Sequence, residues 1–280
     1  MVTKVLNRIK SRYDSWEEIN VVMIVSTGRT ATKFFAGFFD RNFRDVLARH
    51  EPAPDLFNLG TQFIRLKASP ERTRTLLKRY RHTIYGQLKD QGISTYVESN
   101  NNAALLLPVV RAVFPKLKVV WVTRDPRSYL VSAYSKVHGD PGYSLYGKGD
   151  PRNRLTAKDF NDDPLAVRWD GCTRFEKLCW HWKTYNKLIY TFLDDAVDHC
   201  ILKYEDLFRT DDFSAVRKLV DYVALDSDRQ LTDEFLAGLL TRKSNESTSY
   251  ALPSFDAWDE KHKASFYAIL GEDIARYGYA

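Results

Sequence analysis

Three short apolar runs without the in-and-out alternation of a half-exposed strand constrain this chain most: VVMIV at 21–25, STYVE at 94–98 and KVVWVT at 118–123. A strand apolar on both faces needs cover on both, which a parallel sheet between two helical layers supplies. Each run is followed by a helical pattern, from Thr32 to Phe43, from Asn102 to Phe114 and from Arg127 onward. The order predicts an α/β fold, a three-layer sandwich with a central parallel sheet. Asp45 to Ala48 fits a second strand, and HCILKY at 199–204 a further one followed by a helix from Asp212. Long helices are expected over 70–88 and 171–195, with a last one from Glu260 to Ala275. Such a sheet binds its ligand at the carboxyl ends of its strands.

With 280 residues, 44% hydrophobic and 28% charged, the chain is neither disordered nor fibrous. It reads as one domain over 1–280, with a core from about residue 20 and a Gly-, Pro- and Asp-rich insertion over about 136–168 laid across the site. A net charge of +6 and a pI near 9.0 point to an anionic partner without requiring nucleic acid. No run approaches the roughly 20 apolar residues of a membrane helix, and the first residues lack a signal-peptide core, so a cytoplasmic protein is expected. Cys172, Cys179 and Cys200 are odd in number and wrongly spaced for zinc; they are expected to be reduced and buried, and no metal site is expected.

The segment Ser26-Thr27-Gly28-Arg29-Thr30-Ala31-Thr32-Lys33 follows the first strand and opens an amphipathic helix. The free N–H groups and positive dipole end of that helix face the strand terminus, where anions bind. Hydroxyls of Thr30 and Thr32 and cations of Arg29 and Lys33 would complete a phosphate or sulfate cradle. An ordinary helix start with solvated basic residues is the plainer alternative. The segment is not a Walker loop, since Thr32-Lys33-Phe34 stands where Gly-Lys-Ser/Thr is required. Nor does the KVVWVT strand end in a magnesium-holding Asp; it ends in Arg124. A sulfuryl group carries less charge than a transferred phosphoryl group, so basic side chains and amides would suffice for it.

The segment GRTATK at 28–33 resembles the 5′-phosphosulfate loop of sulfotransferases that use 3′-phosphoadenosine 5′-phosphosulfate (PAPS), with Ala31 where that family commonly has Gly. FPKLKVVWVTRDPRSYLVSAY at 114–134 is similar to the family's 3′-phosphate segment, and Arg124 and Ser132 keep its eight-residue spacing. The likeness runs over nearly all of 21–279. It implies a P-loop NTPase-like sulfotransferase fold and PAPS as co-substrate. Thr27, Gly28, Arg29, Thr30, Ala31, Thr32 and Lys33 would hold the 5′ end, and Arg124 and Ser132 the 3′-phosphate. Tyr204, in Tyr-Glu-Asp-Leu at 204–207, would lie against the adenine unless it is a core tyrosine. Lys243 and Asn245, beside Arg242, fall in a last segment that closes over the nucleotide in the family; the glycine-rich wording usual there is missing.

Transfer to an alcohol needs a base near the acceptor oxygen and stabilisation of the leaving phosphate oxygen. His50-Glu51-Pro52-Ala53-Pro54 follows the second strand and would share the sheet edge with the loop. Glu51 is the preferred base and His50 its rival: the imidazole has the better intrinsic pKa, whereas a carboxylate needs burial to raise its own. Arg29 would contact the bridging oxygen. Glu98-Ser99-Asn100 stands where relatives carry a lysine, so Glu98 is either a positioning residue or a helix cap. The pair Trp180 and Trp182 around His181 fits core packing better than a sugar platform. Arg65, Lys67, Arg72 and Arg74 read as a solvated face, or else suit an acidic acceptor.

The expected function is a metal-independent sulfotransferase acting on a hydroxyl of a carbohydrate, glycolipid or small metabolite. A nucleotide or small-molecule kinase with an altered loop is the alternative, and a polyanion-binding protein a poorer third, because the basic residues sit at strand ends and not along one exposed helix.

Overall fold

The computed structural model describes residues 16–135, 145–193, 197–223, 231–240 and 252–279. Arg242, Lys243, Asn245 and the 136–144 part of the expected insertion lie outside the described residues. Five parallel strands form one sheet in the order β2-β3-β1-β4-β5. They are β1 (Asn20–Val25), β2 (Val46–His50), β3 (Thr95–Ser99), β4 (Leu117–Thr123) and β5 (Asp198–Lys203). β1 stands in the middle; the chain builds β2 and β3 on one side of it and β4 and β5 on the other. That reversal opens a crevice at the carboxyl end of β1.

The two-sided burial read from the sequence is the observed one. Val21, Met23 and Val25 of β1 enter one core and Val22 and Ile24 the other. The second core is completed by α1 (Thr32–Asn42), through Phe35, Phe38 and Phe39. The helices that follow β2 are α2 (Phe57–Ile64), α3 (Pro70–Tyr80) and α4 (His82–Gln91). Next come α5 (Leu107–Val113), α6 (Pro126–Tyr134) and α7 (Arg174–Phe192). α8 (Tyr204–Phe208), α9 (Ser214–Val223) and α10 (Asp233–Leu240) come after β5, and the chain continues through α11 (Glu260–Leu270) and α12 (Asp273–Arg276).

Four local expectations are corrected. The helix expected over 70–88 is two, α3 and α4, broken at Arg81, whose side chain is drawn wholly into the core. The helix from Asn102 begins as a 3-10 helix, Asn101–Leu106, and turns α-helical only where Pro108 occupies its first turn. The last helix ends at Leu270, because Gly271 takes φ 48° and turns the chain into α12. Tyr204 is not the end of β5 but the first residue of α8. Cys172, Cys179 and Cys200 are free and buried, as expected.

Candidate functional site

The ends of all five strands converge on one edge of the sheet, and the loop from Ser26 to Ala31 lies at its centre. Its backbone is held in the left-handed region at Gly28 (φ 90°), Arg29 (φ 60°) and Ala31 (φ 58°). Only Gly28 adopts that conformation without cost. Ala31 is the N-cap of α1 and has no side chain to cap it, so the helix start is left to an outside acceptor. Ser26 organises the loop: its Oγ donates to Asn101 Oδ1 (2.6 Å) and accepts from Gly28 N (3.0 Å) and Thr30 Oγ1 (2.7 Å). The Thr30 hydroxyl thus donates within the loop. Thr27 is buried; its carbonyl accepts from His181 Nε2 (3.2 Å). Thr32 is buried in the first turn of α1, and Lys33 beside it is exposed.

The loop meets the β4–α6 turn directly. Arg124 Nη1 donates to the Arg29 carbonyl, Arg124 Nε to Ser128 Oγ (2.9 Å), and Arg29 Nε to Ser132 Oγ (3.0 Å). Arg124 and Ser132 are thus linked through Arg29, and Ser128 is the hydroxyl that Arg124 itself contacts. The guanidinium of Arg124 also lies 4.2 Å from the centre of the Tyr204 ring, within cation–π range. Tyr204 is half-buried and packs on Phe208 (5.0 Å).

Arg124 itself is only 7% exposed, and among the described residues no carboxylate lies within ion-pair distance of it. Burial lowers its pKa, opposed by Tyr204 and Glu205. A desolvated cation bonded only to neutral groups is a strong partner for any anion brought beside it. Glu205 pins the turn instead: it accepts from Asp125 N (3.1 Å) and Ser128 Oγ (3.4 Å), with Tyr279 OH on its other oxygen (3.4 Å). Trp182 Nε1 holds the Arg124 carbonyl (2.9 Å).

His50 and Glu51 arrive from β2. Glu51 is half-buried with φ 40°, and its N–H donates to Ser99 O (3.1 Å). Asn101 Nδ2 donates to Glu51 Oε1 (3.4 Å), so Asn101 joins Glu51 to Ser26 and hence to the loop. His50 Nδ1 donates to Ser99 O (3.2 Å), which leaves Nε2 as the acceptor nitrogen of the neutral ring. Glu98 does not cap a helix: it is fully buried in an ion pair with Arg81 (2.6 Å). Trp180 and Trp182 are core residues, and His181 stacks on Tyr185 (3.9 Å). Burial, aided by Arg154, lowers the His181 pKa to about 3. Arg65 is no solvated residue; it grips Asp159 (2.7 Å) and the carbonyls of Asn153 and Arg154. Arg72 is exposed and Arg74 pairs with Glu71, as a solvated face requires.

Asn101, Ser128, Glu205 and Arg81 are supporting residues that sequence reasoning did not single out, and the part of Ser26 in organising the loop and of Trp182 in holding the Arg124 carbonyl was not foreseen. Ser128 had a local signal, one helical turn from Arg124; the others meet the site through contacts distant in sequence.

Fold and site together define a three-layer α/β protein with a left-handed loop and an uncapped helix start after its first strand and a cationic turn after its fourth. No family model and no curated protein matches the sequence. Among solved structures the chain is similar to a sulfotransferase domain from the curacin biosynthetic pathway, at TM-score 0.49 and 14% identity over 93% of this chain and 96% of that one. It is also similar to sulfotransferases from Mycobacterium tuberculosis (TM-score 0.47, 13% identity, 93% and 80% covered) and Mycobacterium avium (0.48, 11%, 100% and 82%).

Proposed function

We propose that this protein is a sulfotransferase that moves a sulfuryl group from PAPS to a hydroxyl of a carbohydrate, glycolipid or small-metabolite acceptor. The observation that carries the reading is Arg124: a buried guanidinium with no carboxylate at ion-pair distance among the described residues, set beside a left-handed loop whose helix start has no side-chain cap. These residues fit a ligand with two separated anionic groups. The amides of Gly28 to Thr32 and the side chain of Arg29 would hold the 5′ end; Arg124, Ser128 and Ser132 would hold the 3′-phosphate. Tyr204 enters through Arg124, whose guanidinium it keeps in place. When bound, the nucleotide supplies an activated sulfuryl group with a phosphate as its leaving group.

Glu51 takes the acceptor's proton, oriented by Asn101, while Arg29 stabilises charge on the leaving oxygen. His50 remains the competing base, and its acceptor Nε2 suits that task. In this reading charge neutralisation falls to Arg29 and Arg124, and no metal is assigned a role.

The test is calorimetric binding of 3′-phosphoadenosine 5′-phosphate (PAP), with ATP as comparator and EDTA present, on wild type and Arg124→Ala. Metal-free binding that prefers PAP over ATP and weakens about 10- to 100-fold in the variant is expected, the range for losing a charged hydrogen-bonding partner. Absence of PAP binding, or preference for ATP once magnesium is restored, sinks the reading in favour of a kinase.

A further inference from the structure

Glu98 is buried with no exposed side-chain surface and accepts four hydrogen bonds. Oε1 takes Arg81 Nη2 (2.6 Å) and Asn100 Nδ2 (2.7 Å); Oε2 takes Arg81 Nε (2.7 Å) and Tyr96 OH (2.6 Å). A buried ion pair is a weak source of stability, since apolar residues of equal volume often serve as well. This pair does something an apolar one would not. Arg81 directs its remaining nitrogen, Nη1, to the carbonyl of Pro54 (3.1 Å), three residues beyond Glu51. Asn100, the other arm, receives Asn102 N on its Oδ1 (2.9 Å) and donates its own N–H to Ile24 O (2.9 Å). That fixes the turn carrying Asn101, whose amide reaches Glu51 on one side and Ser26 on the other. Glu51 between these arms has φ 40°, a conformation a glutamate keeps only where its surroundings hold it.

We infer that Glu98 is the positioning residue for the base: through Arg81 it holds the segment after Glu51, and through Asn100 it holds the asparagine that ties Glu51 to the donor loop. The inference rests on the reading that Glu51 accepts the proton. Glu98 touches neither substrate nor reacting atoms; it acts by fixing where the Glu51 carboxylate stands relative to Ser26.

The variant to make is Arg81→Lys, which keeps a cation for Glu98 but cannot span both the carboxylate and the Pro54 carbonyl. Hydrogen exchange by mass spectrometry needs no acceptor: amides of 51–57 are expected to exchange about tenfold faster, while those of 26–32 and PAP affinity stay within about twofold of wild type. Turnover is read as acceptor-free hydrolysis of PAPS to PAP. It is expected to fall at least about tenfold, the scale of a misplaced reacting group, and to fall no further when Arg81→Lys is added to Glu51→Gln.

Unchanged exchange at 51–57 overturns the inference, as do losses that multiply in the double variant, since Arg81 would then act independently of Glu51. If Arg81→Lys does not fold, Asn100→Ala cuts the other arm with the ion pair intact and must give the same loss of turnover, again without further loss when added to Glu51→Gln; its failure to do so is equally fatal. Failure of wild type to bind PAP would instead strike the functional reading, while the exchange experiment still decides whether the network holds the segment.

Discussion

Arg29 joins the loop after β1 to the turn and helix after β4. Its backbone carbonyl receives Arg124 and its side chain reaches Ser132; in the proposed reading its guanidinium serves the 5′ end. If its main task is charge on the leaving oxygen, Arg29→Ala lowers kcat by more than it weakens PAP, with a turnover loss of about 10²-fold or more expected for removing a preorganised donor. Equal losses in the two measurements would make it a binding residue only. The positions of Arg29, Arg124 and Ser132 were legible in the sequence because each lies in a local strand-turn-helix pattern, one around Arg29 and another around Arg124 and Ser132. Asn101, Trp182 and Glu205 were not, because an asparagine, a tryptophan and a glutamate in helical or turn sequence carry no mark of the distant backbone group each will bind. Thr30 was legible as a loop residue, but its hydrogen bond to Ser26 was not.

At the scale of elements, the strands were the most legible part, because double-sided burial forces a run of apolar residues that no other element in a chain of this kind requires. Helix ends were less so. Arg81 looks like an exposed helical arginine until β3 presents Glu98 to it, and no local pattern announces that pairing. The start of α1 carries a prediction of its own. Ala31 sits at φ 58° and ψ 36°, where an L-residue pays roughly 1 kcal/mol and glycine does not. Ala31→Gly should therefore leave the protein as stable as wild type or raise its stability by up to about 1 kcal/mol in urea, although glycine lowers helix propensity at interior positions. A loss of 1 kcal/mol or more would mean that the loop tolerates Ala31 for a packing reason and that its left-handed geometry carries no strain.

At the scale of the whole molecule, α7 links the two ends of the site to the larger core. Trp182 holds the Arg124 carbonyl and His181 holds that of Thr27, one helical position apart. His181 does so as a neutral ring: buried among Tyr129, Tyr146 and Tyr185, it has its pKa lowered from 6.5 to about 3. The unfolded chain protonates this histidine near pH 6.5 while the folded one does not, so between those values the unfolded state binds one proton more and stability rises with pH. The contribution is fully present above pH 6.5 and is lost as pH falls toward 3, at about 1.4 kcal/mol per pH unit. Asp159 and Glu176, whose pKa values are lowered by their arginine and backbone partners despite burial, add losses of the same sign. Comparison with His181→Gln, which keeps an N–H for the Thr27 carbonyl, isolates the histidine. Urea unfolding from pH 7 to pH 4 should show the variant's stability falling less steeply than wild type by about one proton's worth, and PAP affinity in the variant should hold at low pH as far as the fold does. Parallel slopes would mean that His181 is protonated or rehydrated in the folded protein and that the ring beneath the loop is not the dry, neutral donor the geometry makes it.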